Sequence, residues 1–193
     1  MKLRLIRHGL TGLGEAGKYQ GRLDDGLCEA GRAQLRRAGR APVHVYVSPA
    51  LRAKETAAIL YPEAEQIEIP DLREMDFGVF EGRSWREMEH DAQYRAWVEG
   101  GCEGRCPEGE DRAGFSERVC RAVREILDAE AEAGSEEAVI VAHGGTQMAA
   151  LERWGTPRQD YYRWQTGCGC GWLLEWDGAE ETLRIVEKVG SPA

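Results

Sequence analysis

The chain has 193 residues, 42% of them hydrophobic and 31% charged, with a formal net charge of -9 at pH 7. That length suits one domain spanning 1–193 around a single buried core, and the composition is that of a globular protein. The acidic balance excludes the basic stripe of a nucleic-acid binder, and no run approaches the roughly 20 apolar residues of a membrane helix. The apolar start is too short for a secretory signal, so a cytoplasmic protein with no nucleic-acid or membrane partner is expected.

Leu3 to Ile6 is a short apolar strand that runs directly into Arg7-His8-Gly9. A Gly-rich stretch from Gly9 to Gly26 follows, then a predicted helix from Glu29 to Ala38, stopping near Gly39. Val43 to Val47 reads as a strand between Pro42 and Ser48-Pro49. Leu51 to Leu60 reads as a helix ended by Pro62, and Gln66 to Ile69 as a short strand before Pro70. Short apolar runs alternating with longer amphipathic segments are the pattern of a parallel sheet with crossover helices.

From Asp71 to Asp111 the chain is rich in charge, glycine and aromatics, with one helix predicted from Ser84 to Val98. The loop from Glu99 to Gly109 carries Gly100, Gly101, Gly104, Pro107 and Gly109, a composition suited to a ligand loop. Tyr94 and Trp97 beside it are the aromatics expected to reach a substrate. Arg112 to Ala133 is the clearest amphipathic helix, with Phe115, Val119, Val123, Ile126 and Leu127 on one face and Gly134 as its stop. Ala138 to Ala142 is a buried strand ending in His143-Gly144, and Gln147 to Trp154 a helix. Trp172 to Trp176 and Thr182 to Glu187 form a closing hairpin that is expected to turn at Asp177-Gly178.

Six cysteines include two close pairs, Cys102/Cys106 and Cys168/Cys170. Their spacings are not the C-x2-C of a zinc site, so reduced thiols and no bound metal are expected. His44 and His90 have no chemical company and read as ordinary residues.

Three predicted strands end in chemistry-bearing residues: Arg7-His8, Ser48-Pro49 with Arg52 close behind, and His143. Crossovers in a parallel sheet bring such ends to one edge, where ligands of open α/β sheets bind. Two arginines there offer forks of donors for the equatorial oxygens of a transferring phosphoryl group. They also favour the neutral form of a neighbouring histidine, so that one can attack while the other donates a hydrogen bond. A carboxylic acid is still needed for the leaving oxygen. Glu74, Asp76 and Glu81 compete for that place.

With these residues the chain resembles the histidine phosphatase superfamily, which includes the phosphoglycerate mutases. The likeness is carried by Arg7-His8-Gly9-Leu10-Thr11, Tyr19-Gln20-Gly21, Ser48 to Ala53, Leu72 to Gly78 with Glu81-Gly82-Arg83, and Val141 to Gly145. It implies a three-layer α/β/α sandwich on a mostly parallel sheet. By the resemblance His8 is the nucleophile, Arg7, Arg52 and His143 make the phosphate pocket, and Glu74 is the general acid/base. Thr11, Gln20, Gly21 and Gly144 would touch substrate, a segment of about 75–111 would cover it, and no metal or cofactor is implied. The expected partner is a small phosphorylated metabolite, and the expected state a monomer or homodimer.

Several positions depart from the family pattern. Leu10 stands where glutamate is common, and Gly14 where an asparagine often touches the phosphate. Gly26-Leu27-Cys28 lacks the N-cap oxygen of the usual Pro-Leu-Thr. In Gly109-Glu110-Asp111 the aspartate can still cap a helix. The short acidic segment between Glu74 and Gly109 favours hydrolysis over mutase chemistry. Leu72 to Gly82, Asp91 to Trp97, Glu108 to Val119 and Gln165 to Cys168 extend the likeness to the α-ribazole 5'-phosphate phosphatases of cobalamin biosynthesis. A broad-specificity or sugar-phosphate phosphatase, a phosphoglycerate mutase and a non-catalytic phosphate-binding module are the alternatives.

Overall fold

The computed structural model describes residues 1–39 and 42–190. Seven strands form one sheet: β1 (Lys2–Arg7), β2 (His44–Val47), β3 (Glu65–Glu68), β4 (Glu137–Ala142), β5 (Gly155–Thr156), β6 (Gly171–Asp177) and β7 (Thr182–Val189). Their spatial order is β3-β2-β4-β1-β6-β7-β5. β1, β2, β3 and β4 are mutually parallel, and only β6 runs against the direction of the others.

The helices are α1 (Gly12–Glu15), α2 (Glu29–Gln34), α3 (Leu51–Leu60), α4 (Ala92–Glu99), α5 (Arg112–Glu132) and α6 (Gly144–Trp154). Alternation along the strands sorts the core into two halves, because successive side chains point to opposite faces of a sheet. Leu3, Leu5, Ala138, Ile140 and Ala142 face the side where α5 brings Val119, Val123 and Leu127 and α6 brings Leu151. Ile6, Val45, Val47, Val139 and Val141 face the other side, against Ala53, Ala57 and Leu60 of α3. The result is the expected three-layer sandwich.

Element boundaries shift where side chains intervene. The helix expected from Glu29 to Ala38 ends at Gln34, because Leu35 turns extended and its side chain enters the core. Cys28 still caps that helix, its Sγ accepting from the Gly31 amide at 3.3 Å. The helix expected from Ser84 begins only at Ala92. Ser84 and Glu87 close a local turn through their side chains, and Asp91 caps α4 by accepting from the amides of Gln93 and Tyr94. The final hairpin turns through residues 178–181, since the Asp177 carboxylate accepts from the amides of Ala179 and Glu180. Helix α6 starts at Gly144 rather than Gln147, with no loop after the strand.

Candidate active site

The register of β1 and β4 sets the site. Arg7 lies opposite Ala142, so the next residue of each strand, His8 and His143, emerge side by side. Their rings sit edge to face with centroids 5.2 Å apart. The His8 amide donates to the carbonyl of Ala142 at 2.9 Å, and the His8 carbonyl accepts from the Gly169 amide. Thr56 of α3 ties the next residue down, its hydroxyl accepting from the Gly9 amide at 2.9 Å and donating to the Arg52 carbonyl at 2.7 Å.

The His8 Nδ1–H donates to the Gly9 carbonyl at 2.7 Å, which leaves the Nε2 lone pair free. Burial, then the charges of Arg52 and Arg7, pull its pKa down from 6.5 to about 3, against a smaller opposing effect of the Gly9 carbonyl. His143 is also held well below the ordinary histidine value, by burial first and then by Arg52, His8 and Arg7. Both rings are therefore neutral near pH 7. Arg52 Nη2 lies 3.4 Å from His143 Nδ1, and Ser48 Oγ lies 2.7 Å from His143 Nε2. Ser48 sits at the end of β2, where Val47 pairs with Val141.

Arg52 is fully buried in the first turns of α3, held by the carbonyls of Leu23, Gln20 and Gly21. Arg7 Nη1 donates to the Thr166 carbonyl at 2.7 Å. Among the described residues, the buried Nε–H groups of Arg7 and Arg52 have no protein acceptor. Unpaired buried guanidinium donors are costly, and an anion that accepts from them removes that cost.

A cavity of about 410 Å³ opens over this edge. Arg7, His8, Gln20, Glu74, Gly144 and Trp97 line it, whereas His143 and Arg52 are completely buried and do not. Glu74 Oε2 accepts from the Gly145 amide at 3.1 Å, and Oε1 from the Met75 amide at 3.0 Å. Of its competitors, Glu81 is occupied by the amides of Arg22 and Leu23, and Asp76 by the Gly78 amide. Neither lines the cavity.

Three residues expected at the substrate lie behind it. Thr11 is fully buried, capping α1 and donating to Gln20 Oε1 at 2.8 Å. Gly21 has no room for a Cβ, which would collide with the Met75 carbonyl, and its own carbonyl holds Arg52. Tyr94 supports Tyr19 from behind, their hydroxyls 3.0 Å apart. Tyr19, Phe77, Tyr161 and Tyr162 form the aromatic wall with Trp97, and of these five rings only Trp97 is a substrate contact expected from the sequence. Tyr19 and Phe77 stand inside motifs already noted for other residues. Tyr161 and Tyr162 leave no sequence signal, because their place depends on where the 3-10 turn of residues 161–164 returns to the cavity.

The thiols and remaining histidines lie in ordinary settings. All six cysteines are free; Cys102 and Cys168 line the cavity, and Cys106 and Cys170 are buried. A larger hollow of about 680 Å³ opens at the opposite edge, by the amino ends of β1, β2 and β4. There Arg4 pairs with Glu137 and His44 bonds Glu130, and none of the strand-end histidines or arginines of the first cavity reaches it. His90 is exposed beside Glu89.

A mostly parallel α/β/α sandwich that gathers two buried histidines and two arginines with unpaired Nε–H groups at one strand edge has the architecture of the phosphoglycerate mutase-like phosphate-handling enzymes. The model of the histidine phosphatase superfamily (branch 1) matches residues 3–188, so the chain belongs to that family and is a phosphoric monoester hydrolase. It is 29% identical over 196 residues to an adenosylcobalamin/alpha-ribazole phosphatase of Salmonella typhimurium, covering 96% of each chain. It is 31% identical over 160 residues to a metal-independent phosphoserine phosphatase of Arabidopsis thaliana, covering 77% of this chain and 66% of the relative. Among solved structures it is similar to a phosphoglycerate mutase of Thermus thermophilus, with TM-score 0.74, 28% identity and full coverage of both chains. Among the described residues, no helix is long and apolar enough to cross a membrane.

Proposed function

We propose that the protein hydrolyses a phosphate monoester through a phosphohistidine at His8, without a metal, and that its substrate joins a flat aromatic base to a sugar phosphate. α-Ribazole 5'-phosphate, or the related adenosylcobalamin 5'-phosphate, is the leading member of that class. The observation that carries this reading is the aromatic wall of Tyr19, Phe77, Trp97, Tyr161 and Tyr162, which shares one cavity with His8 and Glu74. A phosphate held at His8 would leave its base among those rings, where burying one ring is worth about 1.5–3 kcal/mol. The relative from Salmonella, named for such a substrate, matches along nearly the full length of both chains.

The chemistry follows from the atoms that face the cavity. His8 Nε2 attacks phosphorus, forming a P–N bond as the ester P–O bond breaks, and Glu74 as a carboxylic acid gives its proton to the leaving oxygen. The Gly9 carbonyl accepts from Nδ1–H and steadies the positive charge of the phosphohistidine. Glu74 as a carboxylate then takes a proton from water; the hydroxide forms the new P–O bond, the P–N bond breaks, and His8 returns neutral with inorganic phosphate released. Arg7 directs donors at the equatorial oxygens from the cavity lining, the buried Arg52 adds positive charge behind it, and the first turn of α6 adds the backbone N–H of Gly144. The segment of about 75–111 serves as the cover, contributing Met75, Phe77, Trp97 and Cys102 to the wall.

Charge at the rim disfavours a mutase, which must hold a second anionic group. Lys18 faces Glu87, and Arg112 is engaged by Glu103 while stacking 4.9 Å from the Tyr161 ring. Six free thiols fit a reducing compartment, in keeping with a cytoplasmic enzyme.

A phosphate-release panel of α-ribazole 5'-phosphate, phosphoserine, 3-phosphoglycerate and sugar phosphates tests the substrate. The nucleotide-like ester should lead in kcat/KM by at least tenfold, about 1.4 kcal/mol. Trp97→Ala should raise KM for that ester and leave phosphoserine little changed. Preference for phosphoserine, or an even response to Trp97→Ala, would discard the aromatic-base reading.

A further inference from the structure

The Gly109-Glu110 step of the sequence finds no use at the cavity wall, yet it is bonded closely to the segment that carries Glu74. Gly109 and Gly78 let two backbones touch, since a Cβ on Gly109 would strike the Asp76 carbonyl and one on Gly78 the Pro107 carbonyl. Gly78 also needs its positive φ of 53°. Across this contact the Glu110 amide donates to the Asp76 carbonyl at 2.8 Å, and Glu110 Oε2 accepts from the Asp76 amide at 2.9 Å.

Arg118, two turns into α5, completes the grip. Its Nε and Nη2 bind both oxygens of Glu110 at 3.1 and 2.8 Å, while Nη1 donates to the carbonyls of Asp71 at 2.8 Å and Arg73 at 3.0 Å. One mostly buried guanidinium thus holds the chain immediately before Glu74, and through Glu110 the chain two residues after it. Its fork geometry is fixed, so a lysine cannot reproduce it.

We propose that Arg118 and Glu110 are positioning residues that aim the Glu74 carboxylate at the leaving oxygen, setting how well the enzyme handles poor leaving groups. The inference rests on the reading of Glu74 as the proton donor. A displacement of about 1 Å in a catalytic group can cost on the order of a hundredfold, and that loss falls where protonation matters most.

The test compares kcat/KM for p-nitrophenyl phosphate, whose phenolate leaves unaided, with glycerol 2-phosphate, whose alkoxide needs a proton. Arg118→Met and Glu110→Gln should each lose about 10- to 100-fold on the alkyl ester and less than about threefold on the aryl ester. Arg118→Lys should fall between. Arg118→Met added to Glu74→Gln should cost nothing further on the alkyl ester. Equal losses on both esters, or none on either, would overturn the positioning role. Should Arg118→Met fail to fold by thermal melting, the near-isosteric Glu110→Gln decides alone. If Glu74→Gln discriminates between the esters and the two clamp variants do not, only the positioning role falls. If Glu74→Gln itself does not discriminate, the reading of Glu74 falls and the inference with it.

Discussion

His8 and His143 each lose affinity for a proton on folding, and that loss both arms the site and costs acid stability. His8 drops from 6.5 to about 3, and His143 shifts the same way. Between those values the unfolded chain binds more protons than the native one, so stability is full above about pH 6.5 and declines as pH falls through the window. For His8 alone the loss at pH 5 amounts to about 2 kcal/mol. Urea unfolding at pH 7 and pH 5 should show a smaller pH difference in His8→Gln than in the wild type; an identical difference would show that His8 is not held neutral. His8, His143, Arg7 and Arg52 were legible in the sequence because strand ends of a parallel sheet have fixed neighbours. Thr11, Gly21 and Tyr94 were not so placed. Each lies one layer behind a wall residue, and which layer a loop residue occupies depends on packing that periodicity does not encode.

At the scale of elements, the strand-to-helix junction at His143 matters most. The helix begins at once, which aims the Gly145 amide at Glu74. A Cβ on Gly145 would collide with Glu74 Oε1 and press on Phe115. Gly145→Ala should therefore depress turnover of alkyl phosphates more than aryl ones, read from steady-state rates; an active variant with unchanged alkyl preference would contradict this contact. The two glycines after His143 hide the helix start, because glycine reads as loop. Helix α2 presents the opposite case. Cys28 was read as lacking a cap oxygen, and its thiol accepts from Gly31 in that role. Cys28→Ser should raise stability by about 0.5–1 kcal/mol in urea unfolding, since a hydroxyl is the stronger cap. The overlong helices read at 29–38 and 84–98 share one cause. Local side-chain geometry overrode the pattern in both: a buried Leu35 stops the first helix at Gln34, and the Asp91 cap starts the second only at Ala92.

The whole molecule sets a net charge of -9 around a site whose innermost side chains are two arginines and two neutral histidines. The sheet resolves that conflict by gathering the positive groups at the ends of β1 and β2, deep enough to act on a phosphate at short range. The layered architecture was legible from the alternation of strands and helices. The two-residue β5 was not, being too short to carry a pattern. Since no step of the proposed chemistry uses a metal, dialysis against EDTA should leave kcat unchanged, and restoration by an added divalent cation would contradict that. The most direct measurement is rapid acid-free quenching of the enzyme with a 32P-labelled substrate, followed by peptide mapping. The account predicts a base-stable, acid-labile phosphoryl group on the peptide carrying His8, absent in His8→Ala. Turnover by His8→Ala at the wild-type rate, or label on any other residue, would contradict it.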